Sequence, residues 1–269
     1  VSGSLTGEGD PDGGNIGSAE IRTGQINTIG AFDAYRFSGN VGDRIVIGAL
    51  ATGGALNTNV AVYPPVGAAV VFTSADRIEY QLTSAGTHTI VIEDLGDDTP
   101  GTYSLSYVNI TAGPFTQGAD TDGGPIVSAG NTTGQIGAAV DFDTYTFTGT
   151  AGDRVLLSCL ATGGAINTTF YLYPPGGGAV EDATTADRID HQLAVSGTYT
   201  LLVEDNNLDN TGSYILSMIN LTSGPLTSAG DLNGGPITSG EIYPGQINTT
   251  GDFDAYRFNG SFGQHIVVG

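Results

Sequence analysis

One stretch of this sequence is written three times. Gly24-Gln25-Ile26-Asn27, Phe32-Asp33-Ala34-Tyr35-Arg36-Phe37 and Gly42-Asp43-Arg44-Ile45 return as Gly134-Gln135-Ile136, Phe142-Asp143-Thr144-Tyr145-Thr146-Phe147 and Gly152-Asp153-Arg154-Val155. They return again as Gly245-Gln246-Ile247-Asn248, Phe253-Asp254-Ala255-Tyr256-Arg257-Phe258 and Gly263-Gln264-His265-Ile266. Successive copies are offset by 110 and 111 residues. A period of that length is a whole small domain, not the turn of a solenoid. The expected division is the end of a preceding junction (1–6), repeat one (7–115), repeat two (116–226) and the first half of repeat three (227–269). Gly3-Ser4-Leu5-Thr6 matches Gly113-Pro114-Phe115-Thr116 and Gly224-Pro225-Leu226-Thr227, which places the start of the chain inside a junction. The third copy is either cut from a longer array or completed by another chain, and the first alternative is preferred.

Within a copy the apolar residues alternate. Tyr35 and Phe37 fall on one face of a strand, with Ala34 and Arg36 on the other. Arg44 to Leu50 is a more continuous apolar run, as expected of a central strand covered on both faces. Thr52-Gly53-Gly54 reads as a turn, Val60 to Tyr63 as a strand ended by Pro64-Pro65, and Ala69 to Phe72, Arg77 to Leu82 and His88 to Ile92 as short strands. Thr102 to Ile110 closes the copy with Tyr103, Leu105 and Tyr107 on one face, matched by Tyr214, Leu216 and Met218. No stretch holds a helical apolar period beyond a turn or two. The expected class is all-β: tandem antiparallel β-sandwich domains of the jelly-roll or immunoglobulin-like kind, about 110 residues per repeat.

Asp-x-Tyr-x-Phe followed by a Gly-Asp-Arg strand resembles the bacterial pre-peptidase C-terminal domain. So do Gly86-Thr87-His88-Thr89-Ile90-Val91-Ile92-Glu93-Asp94 with Gly101-Thr102-Tyr103-Ser104-Leu105, and, in the second copy, Gly197-Thr198-Tyr199-Thr200-Leu201 with Gly212-Ser213-Tyr214-Ile215-Leu216. The resemblance spans both full copies and the opening of the third. It implies a non-catalytic jelly-roll module, often calcium-binding, on secreted bacterial or archaeal proteins, beside a peptidase or further repeats. No peptidase motif is present here.

The formal charge is −21, and all seven basic residues are Arg. A field of that sign repels phosphate backbones and anionic headgroups, which argues against nucleic-acid and membrane-surface partners, and it attracts divalent cations. Without Lys, Lys–Asn isopeptide cross-links are excluded. Cys159 is the one cysteine, so no intrachain disulfide forms, and its place in an apolar strand points to a buried small side chain. No apolar run reaches the ~20 residues that span a bilayer as a helix. Abundant Gly and Thr with few charges fit a secreted or surface protein better than a cytosolic enzyme.

The junctions carry the sharpest chemical candidates. Asp10-Pro11-Asp12-Gly13-Gly14 recurs as Asp120-Thr121-Asp122-Gly123-Gly124 and Asp231-Leu232-Asn233-Gly234-Gly235. Oxygen-bearing side chains two apart before flexible glycines suit Ca²⁺, which takes six to eight oxygens. Solvated turn residues are the plainer alternative. A second acidic patch, Glu93-Asp94 with Asp97-Asp98, recurs as Glu204-Asp205 with Asp209, and the two patches are candidates to share an ion at one end of the sandwich. A bound ion at each junction is expected to stiffen the string of domains. Asp33, Asp143 and Asp254 are in register beside the core aromatics, as ligands or, preferred, as acceptors for turn amides. Asp76-Arg77 and Asp187-Arg188 read as surface ion-pair or edge-strand charges, which discourage unwanted strand pairing. Asn-x-Ser/Thr sequons stand at Asn109, Asn131, Asn167, Asn220, Asn248 and Asn259.

None of the three histidines recurs in register: His88 aligns with Tyr199, His191 with Tyr80, and His265 with Arg44 and Arg154. Each is expected at a strand surface rather than as a base or ligand. No zinc-protease, nucleophile-elbow or phosphate-loop motif is present, so a non-enzyme is expected. The leading expectation is an extracellular structural protein, a tandem array forming a surface stalk, layer or filament by self-association. The alternative is an adhesion or substrate-binding accessory region of a larger secreted hydrolase, with an extracellular-matrix or cell-surface ligand.

Overall fold

The computed structural model describes residues 5–7, 10–118 and 120–269, and every regular element among them is a strand. Repeat one runs β1 (Gly14–Asn15), β2 (Glu20–Ile26), β3 (Phe32–Gly39), β4 (Arg44–Gly54), β5 (Thr58–Tyr63), β6 (Val71–Thr73), β7 (Arg77–Gln81), β8 (Gly86–Asp94) and β9 (Gly101–Asn109). Repeat two writes the same series as β10 (Gly123–Pro125), β11 (Gly130–Ile136), β12 (Asp143–Gly149), β13 (Arg154–Gly164), β14 (Thr168–Tyr173), β15 (Asp182–Thr184), β16 (Arg188–Gln192), β17 (Gly197–Asp205) and β18 (Gly212–Asn220).

In repeat one the strands divide into sheets of order β1-β3-β8-β5-β6 and β2-β9-β4-β7; repeat two repeats both orders. Apart from the added β1, the chain crosses between two four-stranded antiparallel sheets in the order of a jelly roll, which decides between the two sandwich kinds. β1 and its counterpart β10 pair in parallel with β3 and β12. The inward faces form one core per repeat. Tyr35, Phe37, Ile45, Ile47, Tyr103, Leu105 and Tyr107 belong to the first, and Cys159 takes the place of Ala49 in the second.

Two expectations about local structure need correction. Thr52-Gly53-Gly54 is not a turn: β4 continues through it to Gly54, with a bulge between Ala51 and Gly53 against β9. Glycine at this bulge absorbs the extra twist while the strand carries on. His88 is not a surface residue. It is buried and its ring stacks on Phe37 at 5.2 Å between centroids, as Tyr199 stacks on Phe147 at 5.6 Å. It fills an aromatic position of the core, and burial lowers its pKa.

The outer face of the β2-β9-β4-β7 sheet is covered by the next repeat. Val46, Val108 and Ile110 pack with Val140, Phe142, Tyr173, Leu202 and Leu208 in a third buried cluster. Arg77, on the edge strand β7, is therefore an ion-paired residue of the interface and not a solvated surface charge. Its Nε donates to Glu204 Oε2 at 2.9 Å, its Nη2 to the Tyr173 hydroxyl at 3.0 Å, and its guanidinium lies 4.2 Å from the centre of the Tyr171 ring. Tyr173 in turn donates to Glu79.

The same contact recurs one repeat on. Leu156, Ile219 and Leu221, the counterparts of Val46, Val108 and Ile110, meet Phe253 and Ala255 of the third copy. Arg257 donates to the carbonyls of Asn220, Leu221 and Gly224. Of the third copy, β19 (Gly235–Pro236) and β20 (Tyr256–Arg257) pair in parallel, as β1 and β3 do. Ile247, Phe258, Ile266 and Val268 are exposed where their counterparts Ile26, Phe37, Ile45 and Ile47 are buried.

Candidate metal centres at the repeat junctions

Each junction motif is a folded hook. In repeat two, Gln117 and Asp120 form an isolated bridge, Asp120 Oδ1 accepts the Asp122 amide at 3.1 Å, and Asp122 Oδ2 accepts the Gln135 amide of β11 at 2.9 Å. Repeat one builds the same hook with Asp10 accepting from the Asp12 amide and Asp12 from the Gln25 amide. In the third copy Asp231 Oδ1 accepts the Asn233 amide, and Asn233 reverses the polarity of the last bond by donating Nδ2 to the Gln246 carbonyl. Gly123 follows at φ 132°; a Cβ there would stand 2.7 Å from the Thr144 carbonyl oxygen and 2.9 Å from that of Phe115. The glycine thus lets the chain lie flat on β12 and carries the two aspartates to its start.

What they meet there is Asp143. The carboxylates of Asp120, Asp122 and Asp143 converge within 4.8 Å of one another, as do those of Asp231, Asp252 and Asp254. Asp143 is fully buried; its Oδ2 accepts the Tyr214 hydroxyl at 2.6 Å, and its Oδ1 has no hydrogen-bond partner. Tyr214 donates to Asp143, so the 2.8 Å contact between Tyr145 and Tyr214 has Tyr145 as donor. Repeat one keeps the relay, Tyr35 beside Tyr103 and Tyr103 to Asp33. Asp33 and Asp143 therefore bond core tyrosines and not the turn amides preferred for them. Asp143 and Asp254 join the junction clusters, whereas Asp10, Asp12 and Asp33 of repeat one do not converge into one among the described residues. The relay also accounts for the thrice-written Gly-Gln-Ile, because a Cβ on Gly24 or Gly134 would collide with the hydroxyl of Tyr103 or Tyr214.

The electrostatics follow from this crowding. Burial pushes Asp143 up to about 9, with the like charges of Asp141, Asp120 and Asp122 adding to it. Burial likewise raises Asp141 and Asp33 to about 6. Like charges at such separations repel by about 3–4 kcal/mol per pair at the effective dielectric of protein sites. A proton or a cation relieves that repulsion. The donor set is all carboxylate oxygen, and Asp143 adds a buried Oδ1 without a hydrogen-bond partner, which fits a hard divalent cation such as Ca²⁺. Asp120, Asp122 and Asp143 would hold it, with Asp141 close by. All four belong to repeat two, so an ion pins the lead-in loop to its own sandwich and does not bridge two repeats. That changes the expected role of the ion in stiffening the string.

The second acidic patch is not such a site, and the two patches do not converge on one ion among the described residues. Asp94 accepts the amides of Asn57, Gly96, Asp98 and Thr99 and the Thr99 hydroxyl, which hold its pKa low, the Asn57 amide foremost. Asp205 does the same for the amides of Asn167, Asn207, Asp209 and Asn210. Glu93 accepts from Asn59, and Glu204 binds Arg77 and Tyr171 at the interface. These lone pairs are spent on turns and packing.

Of the sequons, Asn109 and Asn220 are buried. Their amides donate to Asp43 and Asp153, the aspartates of Gly-Asp-Arg, and their carbonyls cap the turns that follow. His191 lies between Glu181 and Asp182 at 3.1 and 3.3 Å.

No family model matches the sequence, and no curated protein matches it. Among solved structures, the pre-peptidase C-terminal domain of a Bacillus anthracis collagenase aligns at 20% identity over 38% of this chain and 99% of its own, with a TM-score of 0.31. The periplasmic g-type lysozyme inhibitor PliG of Aeromonas hydrophila aligns at 18% identity over 36% of this chain and 96% of its own, TM-score 0.30. The CUB1-EGF-CUB2 region of human MASP-1/3 aligns at 9% identity over 74% of this chain and 99% of its own, TM-score 0.24. The fold assignment rests on the strand pairing above, and no function is carried over from these chains.

Proposed function

We propose that this chain is a non-catalytic segment of an extracellular rod or filament, in which jelly-roll repeats stack head to tail and each lead-in loop is set by a calcium ion. The observation that carries the proposal is the recurrence of one interface. The outer face of one repeat's β4 and β9 receives the Phe at the start of the next repeat's β3-type strand, first as Phe142 on Val46 and Val108, then as Phe253 on Leu156 and Ile219. An interface between two unlike faces, repeated along a chain, propagates head to tail and gives an open linear assembly where its rotation does not close a ring. Burial of Phe142, Tyr173 and Leu202 contributes about 1.5–3 kcal/mol each, more than a flexible linker between independent domains requires. The acidic, lysine-free composition with a single buried cysteine supports a location outside the cell, and the absence of a recurrent His supports a role without catalysis.

Phe142→Asp tests this by placing a charge in the interface while leaving both inner cores untouched. Small-angle scattering is expected to show the variant more extended and more variable in shape than the parent, with its strand content by circular dichroism unchanged. An identical scattering curve for parent and variant would remove the interface as the ordering element.

A further inference from the structure

The first repeat carries the inserting half of this interface, uncovered. Phe32 is the counterpart of Phe142 and is 63% exposed against 3%; Tyr63 is the counterpart of Tyr173 and is 38% exposed against 1%. Around them the face is kept in part: Gly30 and Asp97 stand where Val140 and Leu208 do. Val91 stands where Leu202 does and Glu93 where Glu204 does. One exchange is compensated across strands: Tyr171 faces Ala183 on β15, whereas Ala61 faces Phe72 on β6, so an aromatic ring remains at that spot, now exposed.

The opposite face is equally informative. In repeat two, Arg188 is the counterpart of Arg77. It is exposed beside Asp190, whereas Arg77 is held by Glu204 and the Tyr171 ring. The two halves are thus complementary, Glu93 on a sheet that exposes Phe32, Tyr63 and Phe72 on one and an arginine beside apolar strand residues on the other.

We propose that the β3-β8-β5-β6 face of repeat one is a docking site for another sandwich of this same repeat type, joined ahead of Val1 and presenting its β4-β9-β7 face. Phe32 seats against the apolar pair at the Val46 and Val108 positions, and Glu93 receives the arginine at the Arg77 position, with Phe72 beneath that guanidinium. The inference rests on the head-to-tail reading above and gives it its next contact.

The test extends the chain by placing residues 111–221 ahead of Val1, which keeps the repeat in register and leaves Phe32, Tyr63 and Phe72 unique for hydroxyl-radical footprinting. In the unextended chain, Phe32 and Tyr63 are expected to oxidise as fast as exposed Phe262, and Phe142 and Tyr173 several-fold more slowly. In the extended chain Phe32 and Tyr63 slow to the level of Phe142 and Tyr173, and Glu93→Arg restores their rate by setting like charges together. Slow oxidation of Tyr199 and Tyr214, which occur in the added repeat as well, verifies that it has folded. Unchanged Phe32 and Tyr63 rates beside a folded added repeat overturn the proposal. So does concentration-dependent protection of Phe32 in the unextended chain, which assigns the face to a contact between separate chains. Fast oxidation of Phe142 in the unextended chain would instead strike at the interface reading itself.

Discussion

Asp143 holds the most consequential proton in the molecule. Its ordinary value near 3.8 is pushed up to about 9 by burial and by Asp141, Asp120 and Asp122. The folded state then binds this proton more tightly than the unfolded state does. Its contribution to stability is complete below about pH 4 and is lost progressively as pH rises toward 9, by at most about 1.4 kcal/mol per unit. On the proposed reading a calcium ion would replace the proton and reverse the trend, so binding is expected to strengthen with pH and to release protons. Differential scanning calorimetry in chelator is expected to show the melting temperature falling from pH 5 to pH 8 in the parent and less so in Asp143→Asn. At pH 8 calcium raises the parent's melting temperature much more than the variant's. Equal calcium shifts in the two proteins would exclude Asp143 as a ligand. In the sequence, Asp120 and Asp122 were visible as an oxygen pair before glycines; Asp143 sits 21 residues beyond Asp122 and could be seen only as an in-register residue of uncertain role. Glu93 and Asp94 stood as second-ranked ligand candidates, because composition does not reveal that a turn's own amides saturate a carboxylate.

At the scale of the strand, alternation made most of the core legible. Tyr35 with Phe37 and Tyr103 with Leu105 and Tyr107 are buried on the inner faces as their spacing required. The continuous run from Arg44 to Leu50 also correctly announced a strand covered twice. What covers its second face was not legible, since Val46 and Val108 meet residues that belong to the next copy. Arg77 was misjudged for the same reason: a charge on an edge strand looks solvated until Glu204 arrives from another sandwich. A double-mutant cycle on Arg77→Met and Glu204→Gln measures that contact. The pair is short and Glu204 is buried, so a coupling of about 1–3 kcal/mol is expected in urea unfolding. The equivalent cycle on Arg188 and Asp190, both partly exposed, is expected to give under about 1 kcal/mol. Similar couplings in the two cycles would show that the interface adds nothing to the first pair.

For the whole molecule the account makes side-chain packing, not the ion, the source of regular spacing between repeats. The junction ligands all lie within one repeat, whereas the apolar cluster and the Arg77 network join two. An ion held by Asp120, Asp122 and Asp143 would then govern how firmly that lead-in loop is seated, and the interface the angle between successive sandwiches. The net charge of −21 opposes lateral clustering of such rods and leaves the head-to-tail contact as the directed one. The most direct measurement is the distance between equivalent exposed strand positions of the two complete repeats, Ser38→Cys on β3 and Thr148→Cys on β12, by pulsed electron paramagnetic resonance. The buried Cys159 thiol, whose pKa burial raises, stays unlabelled. One narrow distance distribution is expected, unchanged by chelator and broadened by Phe142→Asp. A broad distribution in the parent, narrowed only when calcium is added, would contradict the account.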